Sequence, residues 1–140
     1  MNSDQMMKEI LLTAKTIASF GLSSSDEKES YWIVSYLKEQ GYRIIPVNPT
    51  ATEILGEKVY PNLESIPEKV DVVQVFRKSE DVPPVVESAI KIGAKVVWMQ
   101  EGIVNEAAAQ KAREAGLQVV MDACMRANHR RLIGPKPIGL

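Results

Sequence analysis

Apolar residues alternate along the chain between short continuous runs and longer stretches at helical spacing. Met7, Ile10 and Leu11 fall on one face of a segment that Asp4 opens as a cap and that runs through Ala14. Thr16–Phe20 is short, mostly apolar and stopped by Gly21, which predicts a first strand. A polar loop, residues 21–26, leads to a helix from Glu29 to Gln40 with Ile33, Val34 and Leu37 on one side and Gly41 as its C-terminal stop. Arg43–Val47 reads as the second strand, ended by Asn48 and Pro49. Residues 50–67 are irregular, broken by Gly56, Pro61 and Pro67, with one helical turn near Leu63. Val70–Phe76 is the third strand, Ala94–Met99 the fourth and Gln118–Met121 the fifth. Helices are expected over Val82–Ile92, with Pro83 and Pro84 in the first turn, and over Asn105–Ala115. A closing helix covers Asp122–Leu132, and Gly134–Leu140 forms a loosely held tail.

Strands that alternate with helices imply an α/β fold with a parallel sheet. The strands are near-continuous apolar runs, as required when helices cover both faces. The predicted architecture is a doubly wound five-stranded parallel sheet in the order 3-2-1-4-5, with a flavodoxin-like order as the competitor. The third strand, Val70–Phe76, would then lie at one edge. Ligands of such sheets sit beyond the carboxyl ends of the strands where the order reverses, here between strands one and four.

The length of 140 residues suits one domain, and 45% apolar with 25% charged residues is globular. A formal charge of -1 argues against a general nucleic-acid binder. No apolar run approaches the ~20 residues of a membrane helix, and Met1–Lys15 lacks the apolar core of a signal peptide. The single cysteine, Cys124, excludes an intrachain disulfide and makes a cytoplasmic setting the simplest expectation. One histidine and one cysteine without ligand spacing do not make a metal site.

The strand ends carry the candidate chemistry. Gly21 followed by Ser23, Ser24 and Ser25 before a helix can hold an anion through backbone N–H groups, hydroxyls and the helix dipole. The same residues also suit a chain that merely turns. A dinucleotide fingerprint would need glycines where Ser23 and Asp26 stand and an acidic residue after strand two, where Asn48, Pro49 and Thr50 stand. No nucleophile–base pair is identifiable. Cys124 and Trp98 read as packed residues, His129 as a surface histidine among Arg126, Arg130 and Arg131, and Arg77 as either a ligand contact or an ion-pair partner.

Five runs together carry a family resemblance: Thr16–Ser23, Gly41–Pro49, Val70–Arg77, Val97–Ile103 and Val120–Cys124. The chain resembles the small single-domain CoA-binding proteins and, more distantly, the CoA-binding domain of the succinyl-CoA synthetase α subunit. The resemblance implies a Rossmann-like fold that carries coenzyme A. It implies that Ser23–Asp26 cradles phosphates and that Pro46–Pro49 with Thr50 lies near the nucleotide end. It further implies that Phe76 and Arg77 line the cleft and that the turn Gln100–Ile103 approaches the pantetheine arm; Met99, Gln100, Glu101 and Gly102 are the candidate binding residues there. The sequence departs from the family at Thr50, where a lysine is usual, at Asp26 and Lys28, where proline and arginine are usual, at Ala123 within the D-R-C motif, and at Asn128 in place of glutamate. Each lost cation removes about 1.5–3 kcal/mol of charged hydrogen bonding to a phosphate. The implied function is non-catalytic binding of CoA or an acyl-CoA. The alternatives are an NAD(P)-binding protein and an acyl-CoA-handling enzyme subunit that needs a partner.

Overall fold

A computed structural model describes residues 2–135. The predicted tail lies outside the described residues from Lys136 onward. Helix α1 spans Asp4–Thr13, and its cap is Ser3 rather than Asp4: the Ser3 Oγ accepts the Met6 N–H at 3.0 Å. Asp4, one residue inside, makes a paired contact with the Arg131 guanidinium at 2.8 and 2.9 Å. The further elements are β1 (Thr16–Phe20), α2 (Glu29–Glu39), β2 (Arg43–Val47), β3 (Glu53–Ile54), β4 (Glu57–Lys58), β5 (Val72–Val75), α3 (Val82–Lys91), β6 (Val96–Met99), α4 (Glu106–Glu114), β7 (Gln118–Val120) and α5 (Met125–Leu132). Short 3-10 turns lie at Leu63–Ser65 and Ser79–Asp81.

Five strands form one parallel sheet in the order β2-β1-β5-β6-β7. Beyond β2, Tyr60 bridges Val47 in parallel, held by Tyr60 N–H to Pro46 O (3.1 Å) and Asn48 N–H to Tyr60 O (3.0 Å). If this bridge is counted as an edge strand, the expected 3-2-1-4-5 order holds across it, β2, β1, β5 and β6. The third member is then the Tyr60 bridge, and Val70–Phe76 is not the edge strand expected. Its core, Val72–Val75, is β5, paired to β1 on one side and β6 on the other. Four consecutive fully buried residues explain the placement, since an edge strand would leave part of that apolar run in water. The reversal of strand order consequently lies between β1 and β5.

Helices α1, α2 and α5 cover one face of the sheet, and α3 with α4 the other. Alternate residues of each strand serve the two layers: Ile17, Val72, Val96 and Trp98 face the first, and Ala18, Val73, Val97 and Met99 the second. Each fully buried large side chain here contributes roughly 1.5–3 kcal/mol. The hairpin β3–β4 turns on Leu55 (φ 54°) and Gly56 (φ 75°), both left-handed as a two-residue hairpin turn requires. The last helix begins at Met125, not at Asp122. Asp122 is left-handed (φ 55°) and Cys124 extended, so the helix cannot start earlier.

Candidate functional site

Chain exit from β1 is set by Gly21, whose φ of +83° suits glycine and whose N–H donates to Val47 O at 2.9 Å. A side-chain Cβ at this position would lie 3.4 Å from the Arg77 side chain. Leu22 is fully buried and anchors the loop. The serines that follow order the loop themselves. The Ser23 Oγ accepts the Ser25 N–H (3.1 Å), the Ser25 Oγ accepts the Glu27 N–H (3.2 Å), and the Ser30 Oγ accepts the Ser23 N–H (3.2 Å). Ser24 is exposed. The Trp32 indole N–H closes the loop on Asp26 O at 2.7 Å. Lys28, the N-cap of α2, makes no side-chain cap bond. The loop is thus held by its own serines, and it leads into the N-terminus of α2.

Asn48 ties the β2 exit to this loop. Its Nδ2 donates to Leu22 O (3.0 Å), while its Oδ1 accepts the Thr50 N–H, the Thr50 hydroxyl and the Ala51 N–H at 2.9–3.1 Å. Its amide is occupied in holding the turn, which leaves Pro49 and Thr50 as the exposed residues there.

Phe76 and Arg77 leave β5 toward opposite sides. Phe76 lines a cavity of about 240 Å³ with Ser30, Ile33, Gln100, Glu101 and Cys124. Arg77 lines a second cavity of about 340 Å³ with Phe20, Leu63, Asp81 and Pro84, its guanidinium 5.8 Å from the Phe20 ring centroid. Among the described residues Arg77 forms none of the ion pairs, so of its two sequence readings the ion-pair role is absent there. Phe76, Gln100 and Glu101 thus share the 240 Å³ cavity and Arg77 lines the other, on the opposite side of the sheet, while Gly21, the three loop serines and Asn48–Thr50 line neither.

After β6 the chain turns at Gly102, left-handed at φ +85°, whose N–H donates to Asp122 Oδ1 at 2.7 Å. Glu101 and Gly102 are exposed. Met99 is a correction: its side chain is fully buried in the α3/α4 layer and has no surface to offer a ligand. Strand alternation is the reason, because position 99 faces the helices while Gln100 begins the turn. Gln100 is 4% exposed, and its Oε1 accepts both Gln74 Nε2 (3.2 Å) and the Met125 N–H (3.0 Å).

Two features escaped sequence reasoning. Ser19 and Gln74 are completely buried, and the Ser19 hydroxyl donates to Gln74 Oε1 at 2.9 Å, so a polar chain crosses beneath the 240 Å³ cavity. One glutamine within Val72-Val73-Gln74-Val75 was the available signal. His129 is buried, not a surface residue, with its Nδ1 2.8 Å from the Tyr36 hydroxyl. The spacing Met125, His129, Leu132 marks the inner face of α5 and could have revealed it. Beside it, burial pushes the Tyr42 hydroxyl up to about 12, with Tyr36 adding to the shift, and this hydroxyl donates to Leu11 O. Burial also raises the Tyr36 pKa, against the opposing charges of Arg130 and Arg126. Trp98 is core, as expected, and its indole N–H donates to Ala123 O at 2.7 Å. Cys124 is partly exposed at the cavity wall. Among the described residues no group of three His, Cys, Asp or Glu side chains could hold a metal ion, and no helix is long and apolar enough to cross a membrane.

Comparison with known proteins places this geometry. The model of the CoA binding domain matches residues 15–130, and the chain belongs to that family. It is 43% identical over 123 residues to the protein YneT of Bacillus subtilis (strain 168), covering 88% of this chain and 91% of that one. A structure from Pyrococcus horikoshii OT3 superposes with a TM-score of 0.92 at 44% identity, covering 95% of this chain and 94% of the other. The chain is also 32% identical over 133 residues to acetate–CoA ligase (ADP-forming) II of Archaeoglobus fulgidus, covering 93% of this chain but only 19% of the ligase.

Proposed function

We propose that this CoA-binding-domain protein is a single domain that binds coenzyme A or an acyl-CoA without catalysing a reaction itself. The ligand lies across the carboxyl ends of β1, β2, β5 and β6. The observation that carries this reading is the family match over residues 15–130, which includes all four strand ends and the preordered loop between β1 and α2. In this reading Gly21, Ser23, Ser24 and Ser25 receive the diphosphate. Asn48, Pro49 and Thr50 flank the nucleotide, with Asn48 acting through the turn it holds. Phe76, Gln100, Glu101 and Gly102 border the pantetheine arm, and Arg77 supplies a cation on the far side of Gly21. A cytoplasmic protein with one thiol fits this role.

The likeness to one fifth of an ADP-forming acetate–CoA ligase supports a second reading, in which the domain handles acyl-CoA together with a protein partner. An NAD(P) role has less support, since Ser23 and Asp26 occupy the fingerprint glycine positions. Thermal melts separate these ligands. At a hundred times its Kd, CoA is expected to add about 2.7 kcal/mol of stability, with NAD adding less or nothing. Stabilisation by NAD and none by CoA overturns the proposal. Native mass spectrometry of freshly purified protein checks the same point through the mass retained.

A further inference from the structure

One backbone N–H sets the direction of every bond in the buried polar chain. The Met125 N–H can only donate, so the Gln100 atom that meets it at 3.0 Å is the oxygen Oε1. That oxygen also faces Gln74 at 3.2 Å, so the Gln74 atom there is the donor Nε2. The Gln74 Oε1 then points the other way and accepts the Ser19 hydroxyl at 2.9 Å. Ser19 and Gln74 are fully buried and Gln100 is 4% exposed, so water does not compete for these bonds. With Oε1 occupied twice, the Gln100 Nε2 is the end of the amide left over. It takes part in none of these bonds, and among the described residues no fully buried side-chain nitrogen or oxygen lacks a partner. Gln100 lines the 240 Å³ cavity, and an Nε2 outside these bonds and not fully buried is the amide atom left to face it.

We infer that Gln74 is a positioning residue that, together with the Met125 N–H, holds the Gln100 amide so that an N–H donor rather than an acceptor faces the cavity, and that the site thereby selects a ligand with a carbonyl oxygen at that point. Free to rotate, a terminal amide offers either end. The Ser19–Gln74–Gln100–Met125 chain removes that freedom without touching the ligand. On the CoA reading above, on which this inference rests, the acceptor is an amide or thioester carbonyl of the pantetheine arm.

Two substitutions test it. Gln74→Met keeps the volume and removes both Gln74 bonds, leaving the Gln100 amide held by the Met125 N–H alone. Titration calorimetry should show CoA binding weakened by roughly five- to tenfold, the size of one neutral hydrogen bond. Binding of 3′,5′-ADP, which carries the nucleotide phosphates and no arm, should be unchanged. Gln74→Glu keeps the shape. When protonated, its carboxyl accepts from Ser19 and donates to Gln100, as the amide does; when ionised it cannot donate. Burial raises a carboxyl pKa, so CoA affinity relative to the parent should be near one at about pH 5 and fall toward about pH 8. Glu29, Glu101 and Cys124, the titratable groups lining the same cavity, are common to both proteins. Equal losses for CoA and 3′,5′-ADP, no loss for either, or a pH-independent ratio for Gln74→Glu overturn the inference while leaving CoA binding intact. A parent protein that binds no CoA overturns the functional reading and this inference with it.

Discussion

The two layers that sandwich the sheet are built on different principles. Beneath α3 and α4 the core is Val, Ala, Leu and Met, with Ala108, Ala109 and Ala112 letting α4 lie close to the strands. The strand residues Ser19 and Gln74, with Gln100 after β6, belong instead to the layer under α1, α2 and α5, where Gln40 and His129 are buried as well. An apolar layer contributes stability with no preference for direction. A buried polar chain contributes less net energy but specifies which atom meets which. The cavity with a directed donor opens on the α1/α2/α5 side, and the Arg77 cavity on the α3/α4 side.

Met99→Ala gives the sharpest contrast. It removes a fully buried side chain from the apolar layer, and about 2–5 kcal/mol of stability should be lost in denaturant melts. CoA affinity should not change at temperatures where the variant is folded; a large affinity loss would put Met99 back among the ligand contacts. Gly21→Val acts where the two layers meet. A β-branched side chain at φ +83°, 3.4 Å from Arg77, should cost about 1–3 kcal/mol and weaken CoA binding at least tenfold. Binding equal to the parent would move the phosphates elsewhere.

Asp71 probes the opposite end of the sheet. Its carboxylate accepts the Lys15 and Thr16 N–H groups at 2.8 and 3.0 Å and lies 3.6 Å from the Lys95 ammonium. Partial burial pushes its pKa up, but these donors and the Lys95 charge outweigh it, and the carboxyl titrates below its ordinary value. The folded pKa is the lower one, so the stabilisation is fully present above the unfolded value and is lost as pH falls through the folded value. Asp71→Asn should lose about 1–2 kcal/mol at neutral pH, converge with the parent in acid, and bind CoA normally. A gap independent of pH would show that packing, not charge, is at stake. The smallest effect belongs to Thr50→Lys. A cation at this exposed turn should tighten CoA binding by less than about 1 kcal/mol, and the gain should shrink as salt rises. Calorimetry at two ionic strengths reads both.

Most of the fold was legible in the chain. Residues 16–20 and 43–47 are strands with the predicted bounds, because punctuation by Gly21 and Asn48-Pro49 is local chemistry. Placement of the third apolar run was not local. Whether Val72–Val75 is central or at an edge depends on pairing partners that no window reveals. The β3–β4 hairpin escaped because Leu55 carries the left-handed turn where asparagine or aspartate would have announced it. At the site, the polar strand ends were visible as residue types, but the parting of Phe76 and Arg77 into two cavities was not. It follows from strand alternation carried past the last paired residue at Phe76 and Arg77.

The sheet is finished at both margins by something less than a strand. On the β2 side the single Tyr60 bridge occupies the carbonyl of Pro46 and the N–H of Asn48. Past the end of β7 the Asn2 side-chain amide imitates a neighbouring backbone, donating to Met121 O at 2.6 Å and accepting the Met121 N–H at 3.1 Å. A lone residue can satisfy one pair of backbone groups without offering a further row to the next molecule. Single-residue terminations of this kind are one way in which natural sheets limit edge-to-edge pairing.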